Sequence, residues 1–240
     1  MKRLDNELLD RSFFKTKNKA QQAIKSGIIY CNDKQITKCG YEVSELTKIE
    51  IKGEVLKYVS RGGLKLEKAL ETWNIDLHGK TMIDIGSSTG GFSDCAIQNG
   101  VEKIYAIDVG TDQFDKKLAQ NPRIYLFEQT DFRVMDENIL SDANIITIDV
   151  SFISVTKLID KIGKLKSVKE IICLIKPQFE CGKEIADKFK GIILDKQVHE
   201  KVIKKIIEAF ESIGFKCVGV TDSPIKGGDG NKEYLAYFKN

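Results

Sequence analysis

The chain has 240 residues, of which 42% are hydrophobic and 30% charged, with a formal net charge of +3. That length buries a sound core, as one large domain or as one of ordinary size plus a small one, and the composition argues against disorder. No apolar run approaches the roughly 18 residues that span a bilayer, no apolar signal stretch opens the chain, and the six cysteines form no C-x-x-C pair, so a cytoplasmic protein in a reducing environment is expected.

The basic excess is N-terminal, because residues 1 to 59 carry 12 Lys/Arg against 8 Asp/Glu. Its densest patch is Arg11, Lys15, Lys17, Lys19 and Lys25, a pattern that suits a phosphate backbone and equally an ordinary solvated helix face. Leu4 and Leu8 lie four apart, and Ala20, Ala23 and Ile24 precede a helix-closing Gly27, so two short helices are expected. Ile28 to Tyr30, a turn at Asn32-Asp33-Lys34, and Lys48 to Ile51 read as short strands. So small a unit is expected to lean on a neighbour or on RNA. The stretch from Leu56 to Gly63, with Tyr58, Arg61 and a Gly-Gly pair, marks a boundary between domains 1–59 and 60–240.

A helix follows in which Leu66, Ala69, Leu70 and Trp73 fall at i, i+3, i+4 and i+7, with Lys65 beside the stripe. Strand-like runs then recur at 82–85, 103–107, 123–127, 144–148, 170–175, 215–220 and 234–238, with helical segments between them. This alternation predicts an α/β fold with a doubly wound, mostly parallel seven-stranded sheet. Val198, Val202, Ile203, Ile206, Ile207, Phe210 and Ile213 share one side of the clearest helix. The last two runs are joined by the turn-rich Asp222 to Asn231 without a helix, so the final strand should be antiparallel, the Rossmann-like layout of S-adenosylmethionine-dependent methyltransferases.

The first strand runs into a small-residue loop, Asp84-Ile-Gly86-Ser87-Ser88-Thr89-Gly90-Gly91-Phe92. Glycines there allow a tight turn and let backbone N–H groups approach a ligand, although a plain strand-to-helix turn would use them too. The loop is neither G-x-G-x-x-G nor G-x-x-x-x-G-K-[ST], which favours a ligand without a pyrophosphate, such as S-adenosylmethionine. Ligands of open parallel sheets sit beyond the carboxyl ends of the strands, where Asp84, Asp108, Asp131 and Asp149 fall. Asp108 ends the second strand, suited to both hydroxyls of an adenosine ribose or simply to capping a helix. Lys176 follows five apolar residues and precedes Pro177, the position of a general base or of a lysine emerging into solvent. His78 and His199 are far apart and the cysteines lack ligand spacing, so no metal is expected, and Cys181 has no histidine partner.

Several segments together resemble the TlyA group of hemolysin-named proteins, understood as rRNA 2′-O-methyltransferases, over essentially the whole chain. They are Arg3-Leu-Asp5 with Ser26-Gly27, Tyr58-Val-Ser-Arg-Gly-Gly-Leu-Lys-Leu66, Asp84 to Phe92, Asp149-Val-Ser-Phe-Ile-Ser154, Lys176-Pro-Gln-Phe-Glu180 and Gly230-Asn-Lys-Glu-Tyr234. The resemblance implies a ribosomal-protein-like, S-four type RNA-binding domain, whose contacts would include Arg3 and Arg61, and an FtsJ-like methyltransferase domain. It also implies a catalytic tetrad of Lys65, Asp149, Lys176 and Glu233, S-adenosylmethionine as cofactor, and rRNA or a ribosomal subunit as partner. The expected target is a cytidine 2′-hydroxyl, in the large subunit or in both. Lys232 departs from the apolar residue expected there. A membrane-lytic protein, a non-catalytic assembly factor and a base-modifying methyltransferase are the alternatives.

Overall fold

In the computed structural model, which describes residues 1–53, 56–227 and 230–240, the chain separates into the units Met1–Lys57 and Tyr58–Asn240. The first contains β1 (Lys2–Arg3), α1 (Leu4–Asp10), α2 (Lys17–Lys25), β2 (Ile29–Cys31), β3 (Lys34–Gln35), β4 (Glu42–Val43) and β5 (Ile49–Ile51). Thr16 caps α2, its hydroxyl accepting from the Lys19 N–H. Asn32 and Asp33 both take left-handed φ values of 47° and 64°, which these residues tolerate, and so close the β2–β3 hairpin. β2 lies between β3 and β5, while β1 pairs with β4. Leu4, Leu8, Ala23, Ile24 and Ile29 are fully buried, giving this unit a core of its own. Below it sits buried Asp5, whose carboxyl the Arg3 guanidinium lowers to about 2 with help from the Gln21 amide.

The second unit contains α3 (Gly62–Trp73), β6 (Thr81–Ile85), α4 (Gly91–Gln98), β7 (Lys103–Ile107), β8 (Ile124–Phe127), β9 (Ile145–Ile148), α5 (Ile159–Ile162), β10 (Glu170–Ile175), α6 (Pro177–Glu180), α7 (Lys183–Lys188), α8 (Lys196–Glu211), β11 (Lys216–Asp222) and β12 (Tyr234–Lys239). The seven strands pair in the order β11-β12-β10-β9-β6-β7-β8, parallel except that β12 is antiparallel to both neighbours. The antiparallel last strand is therefore as expected, and it lies inside the sheet rather than at its edge. Two crossovers differ from expectation: β7 to β8 and β8 to β9 use short 3₁₀ turns instead of α-helices. Of the Asp222 to Asn231 connection, Gly228 and Asp229 lie outside the described residues.

Both faces of the sheet are covered, which is why its central strands are mostly apolar; every residue of β6 is buried, Thr81 and Asp84 included. Val202, Ile206 and Phe210 of α8 pack on one face with Ile146, Ile171 and Phe238. Leu66, Ala69 and Leu70 of α3 pack on the other with Met82, Ile172 and Leu235. Trp73 seats on Tyr237, with ring centroids 5.5 Å apart, above Gly219, where a Cβ would come within 2.9 Å of the indole nitrogen. Lys232 is accommodated at the surface by an ion pair with Asp222 at 2.9 Å and lies over the Tyr234 ring. No helix among the described residues is long and apolar enough to cross a membrane.

Candidate active site

β6 ends in the glycine loop. Gly86 adopts φ +82°, and a Cβ there would stand 2.7 Å from the Asp149 carbonyl oxygen, so the loop backbone and the end of β9 approach as only glycine permits. Asp108, after β7, shapes the loop from the side: its carboxylate accepts from the Ser88 N–H at 2.8 Å and the Gly110 N–H at 2.7 Å. Gly90 starts α4 against Phe114 and Leu118, and Gly91 lies where a Cβ would meet Ser60 Oγ at 2.4 Å. Above the loop opens a cleft of about 370 Å³ whose lining includes Gly86, Ser88, Asp108, Asp131, Phe132 and Asp149. A smaller recess of about 100 Å³ adjoins it, with Ser87, Thr89, Gly91 and Phe92 in its wall. The Ser87 hydroxyl there is buried without a hydrogen-bond partner.

Asp84 is a correction. It was expected to touch the ligand, but it is fully buried beneath the loop and lines neither space. Its oxygens accept from Ser93 Oγ at 2.7 Å and Thr147 Oγ1 at 2.9 Å, and burial pushes the carboxyl up to about 6. It braces α4 against β9 instead. Gly90 also faces packing rather than the cleft. Asp131 stands at the cleft with its carboxylate held by the Arg133 guanidinium at 2.6 to 3.1 Å, which lowers its pKa.

Four charged side chains from distant parts of the sequence meet beside Gly86. Lys65, from α3, donates to Glu233 Oε2 at 2.8 Å and stands 3.7 Å from Asp149 Oδ2. Lys176, after β10, lies 2.6 Å from Asp149 Oδ1. That contact is an ion pair, and the same ammonium also donates to Ser151 Oγ at 2.8 Å. Both lysines are only 8% exposed and Glu233 3%, so the alternation of sign is what makes their burial tolerable. Ser151 and Gln178, whose amide nitrogen donates to Glu233 Oε1 at 3.4 Å, were not expected from sequence. Both sit inside the motifs that supply Asp149 and Lys176, which was the available signal. At the rim Phe152 is 91% exposed and holds a left-handed φ of 64°. A bulky residue in that region marks a conformation imposed by its surroundings.

The residues expected on RNA divide into two groups. Lys15, Lys17, Lys19, Lys25 and Arg61 are exposed, and Arg3 is half-exposed in its pair with Asp5. Arg11 is a correction. Its guanidinium donates to Glu7 Oε1 at 2.7 Å and to the carbonyls of Thr47, Ser44 and Glu45, so its donors hold the 44–47 turn.

The family description of FtsJ-like methyltransferases matches residues 58–240, and that of the S4 domain matches residues 2–45. The chain is 44% identical to a Bacillus subtilis protein, YqxC, named provisionally as an rRNA methyltransferase, over 98% of this chain and 85% of that one. It is 40% identical to the 23S rRNA (cytidine-2′-O)-methyltransferase TlyA of Campylobacter jejuni, over 80% of this chain and 74% of the relative. A solved Streptococcus thermophilus protein of hemolysin designation superposes with a TM-score of 0.76 at 37% identity, covering all of this chain and 88% of the other. The chain belongs to the FtsJ-like methyltransferase family, in the TlyA group that joins this domain to an N-terminal S4 domain.

Proposed function

We propose that this protein methylates the ribose 2′-hydroxyl of a cytidine in ribosomal RNA, in the large subunit, using S-adenosylmethionine in the cytosol. The observation that carries the reading is the buried Lys65–Glu233 and Lys176–Asp149 quartet beside the glycine-loop cleft. The Campylobacter relative, which bears that activity in its name, supports the substrate. The cleft suits the cofactor. Gly86 leaves open backbone where a side chain would strike Asp149, Asp108 offers carboxylate oxygens to a ribose, and Ser87, whose buried hydroxyl has no partner, is among the residues lining the recess. Asp131 and Phe132 would border its base, and residues 86–91 its amino-acid end. When bound, the cofactor supplies an electrophilic methyl on a sulfonium.

A ribose hydroxyl is a poor nucleophile that must shed its proton as it attacks. Lys176 acts after giving up its own ammonium proton to solvent: the neutral amine then accepts the hydroxyl proton at Nζ, while Asp149, 2.6 Å away, holds the amine and the hydroxyl in line. Lys65, anchored by Glu233 at 2.8 Å, faces the negative charge that develops on oxygen. The exposed Phe152 ring offers the target base a stacking surface at the rim, and the S4 domain with exposed Lys15, Lys17, Lys19 and Lys25 supplies the grip on phosphates. Nucleoside mass spectrometry of rRNA from cells with and without the gene tests the reading. The expected result is one 2′-O-methylcytidine lost from large-subunit rRNA. A lost base methylation, or an unchanged profile, overturns it.

A further inference from the structure

Glu180 is a carboxylate the mechanism leaves unused, yet it is only 4% exposed. It closes α6, one turn beyond Lys176. Its Oε2 accepts from Ser154 Oγ at 2.5 Å, its Oε1 accepts from the Val155 N–H at 2.7 Å, and Lys205 stands 3.6 Å from Oε2. Burying a carboxylate is costly, and here each oxygen is matched to a donor.

The two donors end the segment that begins at Asp149. Three links therefore run between residues 149–155 and 176–180: Lys176 to Asp149 and Ser151, Phe179 to Phe152 with ring centroids 5.0 Å apart, and Glu180 to Ser154 and Val155. β-Pairing cannot supply this alignment, because the β9–β10 ladder stops at Ile148 opposite Cys173. Beyond it the segment carries the left-handed Phe152, a conformation that needs outside support.

We propose that Glu180 is a positioning residue for methyl transfer: its buried carboxylate locks residues 149–155 onto the turn carrying Lys176, holding the Asp149–Lys176 pair in its working geometry. Glu180 itself borders neither the cleft nor the recess, whereas residues 149–153 of the segment it holds line the cleft, so its effect on chemistry has to exceed any effect on cofactor binding. The inference rests on the roles given to Asp149 and Lys176 above.

The test is Glu180→Gln in the full chain, assayed for methyl transfer to ribosomal subunits lacking the modification. Glutamine keeps the shape but presents an N–H₂ group to one of two donors. The expected outcome is a kcat lower by about 10- to 100-fold, with a clearly smaller loss of cofactor affinity, since small misplacements near the chemistry are costly. Ser154→Ala should show the same split more weakly, and Ser154→Thr, which keeps the hydroxyl, should restore the rate. Should Glu180→Gln fail to fold, the Ser154 pair carries the test alone. A folded Glu180→Gln variant with native kcat overturns the inference, as does a parallel fall of cofactor affinity and kcat. Lys176→Ala in the same assay separates the two claims. If it remains active the catalytic reading fails, whereas its inactivity beside a fully active Glu180→Gln sinks the positioning role alone.

Discussion

The two ends of the same sheet both carry lysine–carboxylate pairs, and they are built for different ends. At the amino end Lys80 donates to Glu170 Oε1 at 2.8 Å while Tyr237 donates to Oε2, and Lys103 and Tyr105 donate to the two oxygens of Asp142. Every oxygen of these two carboxylates has its donor; the Lys80–Glu170 and Lys103–Asp142 pairs each reach across an intervening strand, while Tyr237–Glu170 joins the neighbours β12 and β10. At the carboxyl end Asp149 is shared by two ammonium groups, Lys176 at 2.6 Å and Lys65 at 3.7 Å, and the group opens onto a cleft. A pair closed on its own donors ties the fold together, whereas a shared carboxylate at the edge of a cleft is placed where a ligand could reach it.

Substituting one lysine at each end gives the largest contrast. Lys176→Ala should lower kcat about 1,000-fold, within the usual span for a lost general base, and leave cofactor affinity unchanged. Lys80→Ala should leave kcat within twofold and cost about 1 kcal/mol of stability. Labelled methyl transfer and urea unfolding read both, and an equal loss of rate in Lys80→Ala would erase the distinction between the ends.

Asp84, in the middle of β6, sharpens the comparison through pH. Its folded pKa is raised, so protonation favours the native state, and the stabilisation present at acid pH is lost as pH rises through about 6. Relative to Asp84→Asn, the native chain should lose up to about 3 kcal/mol between roughly pH 4 and pH 7. Urea melts at the two pH values check this, and a constant difference would show that burial does not govern this carboxyl. The smallest effect concerns the rim. Phe152→Ala should raise KM for RNA by about 10-fold, as expected for a stacked base, with at most a small fall in melting temperature, because the ring touches Phe179 but is 91% exposed.

Much of the fold was legible because the strands buried on both faces are nearly continuous apolar runs, as in Ile171 to Ile175. β1, β3 and β4 were not, since two residues carry no periodicity. A helix-free connection announced an antiparallel strand but not its insertion between β10 and β11, which depends on pairing far along the chain. Within the site, Asp84 and Asp149 look alike in sequence. Their difference lies in register: Asp84 pairs opposite Thr147 inside the ladder, whereas Asp149 lies one step past the end of β9. Arg11 looked like one more basic residue of the patch, although Glu7 at i−4 was a visible hint of a local partner. Glu180 was quoted in its motif without a role because Ser154 lies 26 residues away.

The central position of β12 bears on how the molecule comes into being. As synthesis proceeds from the N-terminus, β10 and β11 are made with a gap between them that residues 234–239 later fill. Until then two strands expose unpaired backbone, a stage vulnerable to sticking and misassembly. Glu233 arrives with that same segment, so Lys65 gains its 2.8 Å partner only when the gap closes. On the reading proposed above, the Lys65–Glu233 half of the quartet is therefore complete only once β12 is seated.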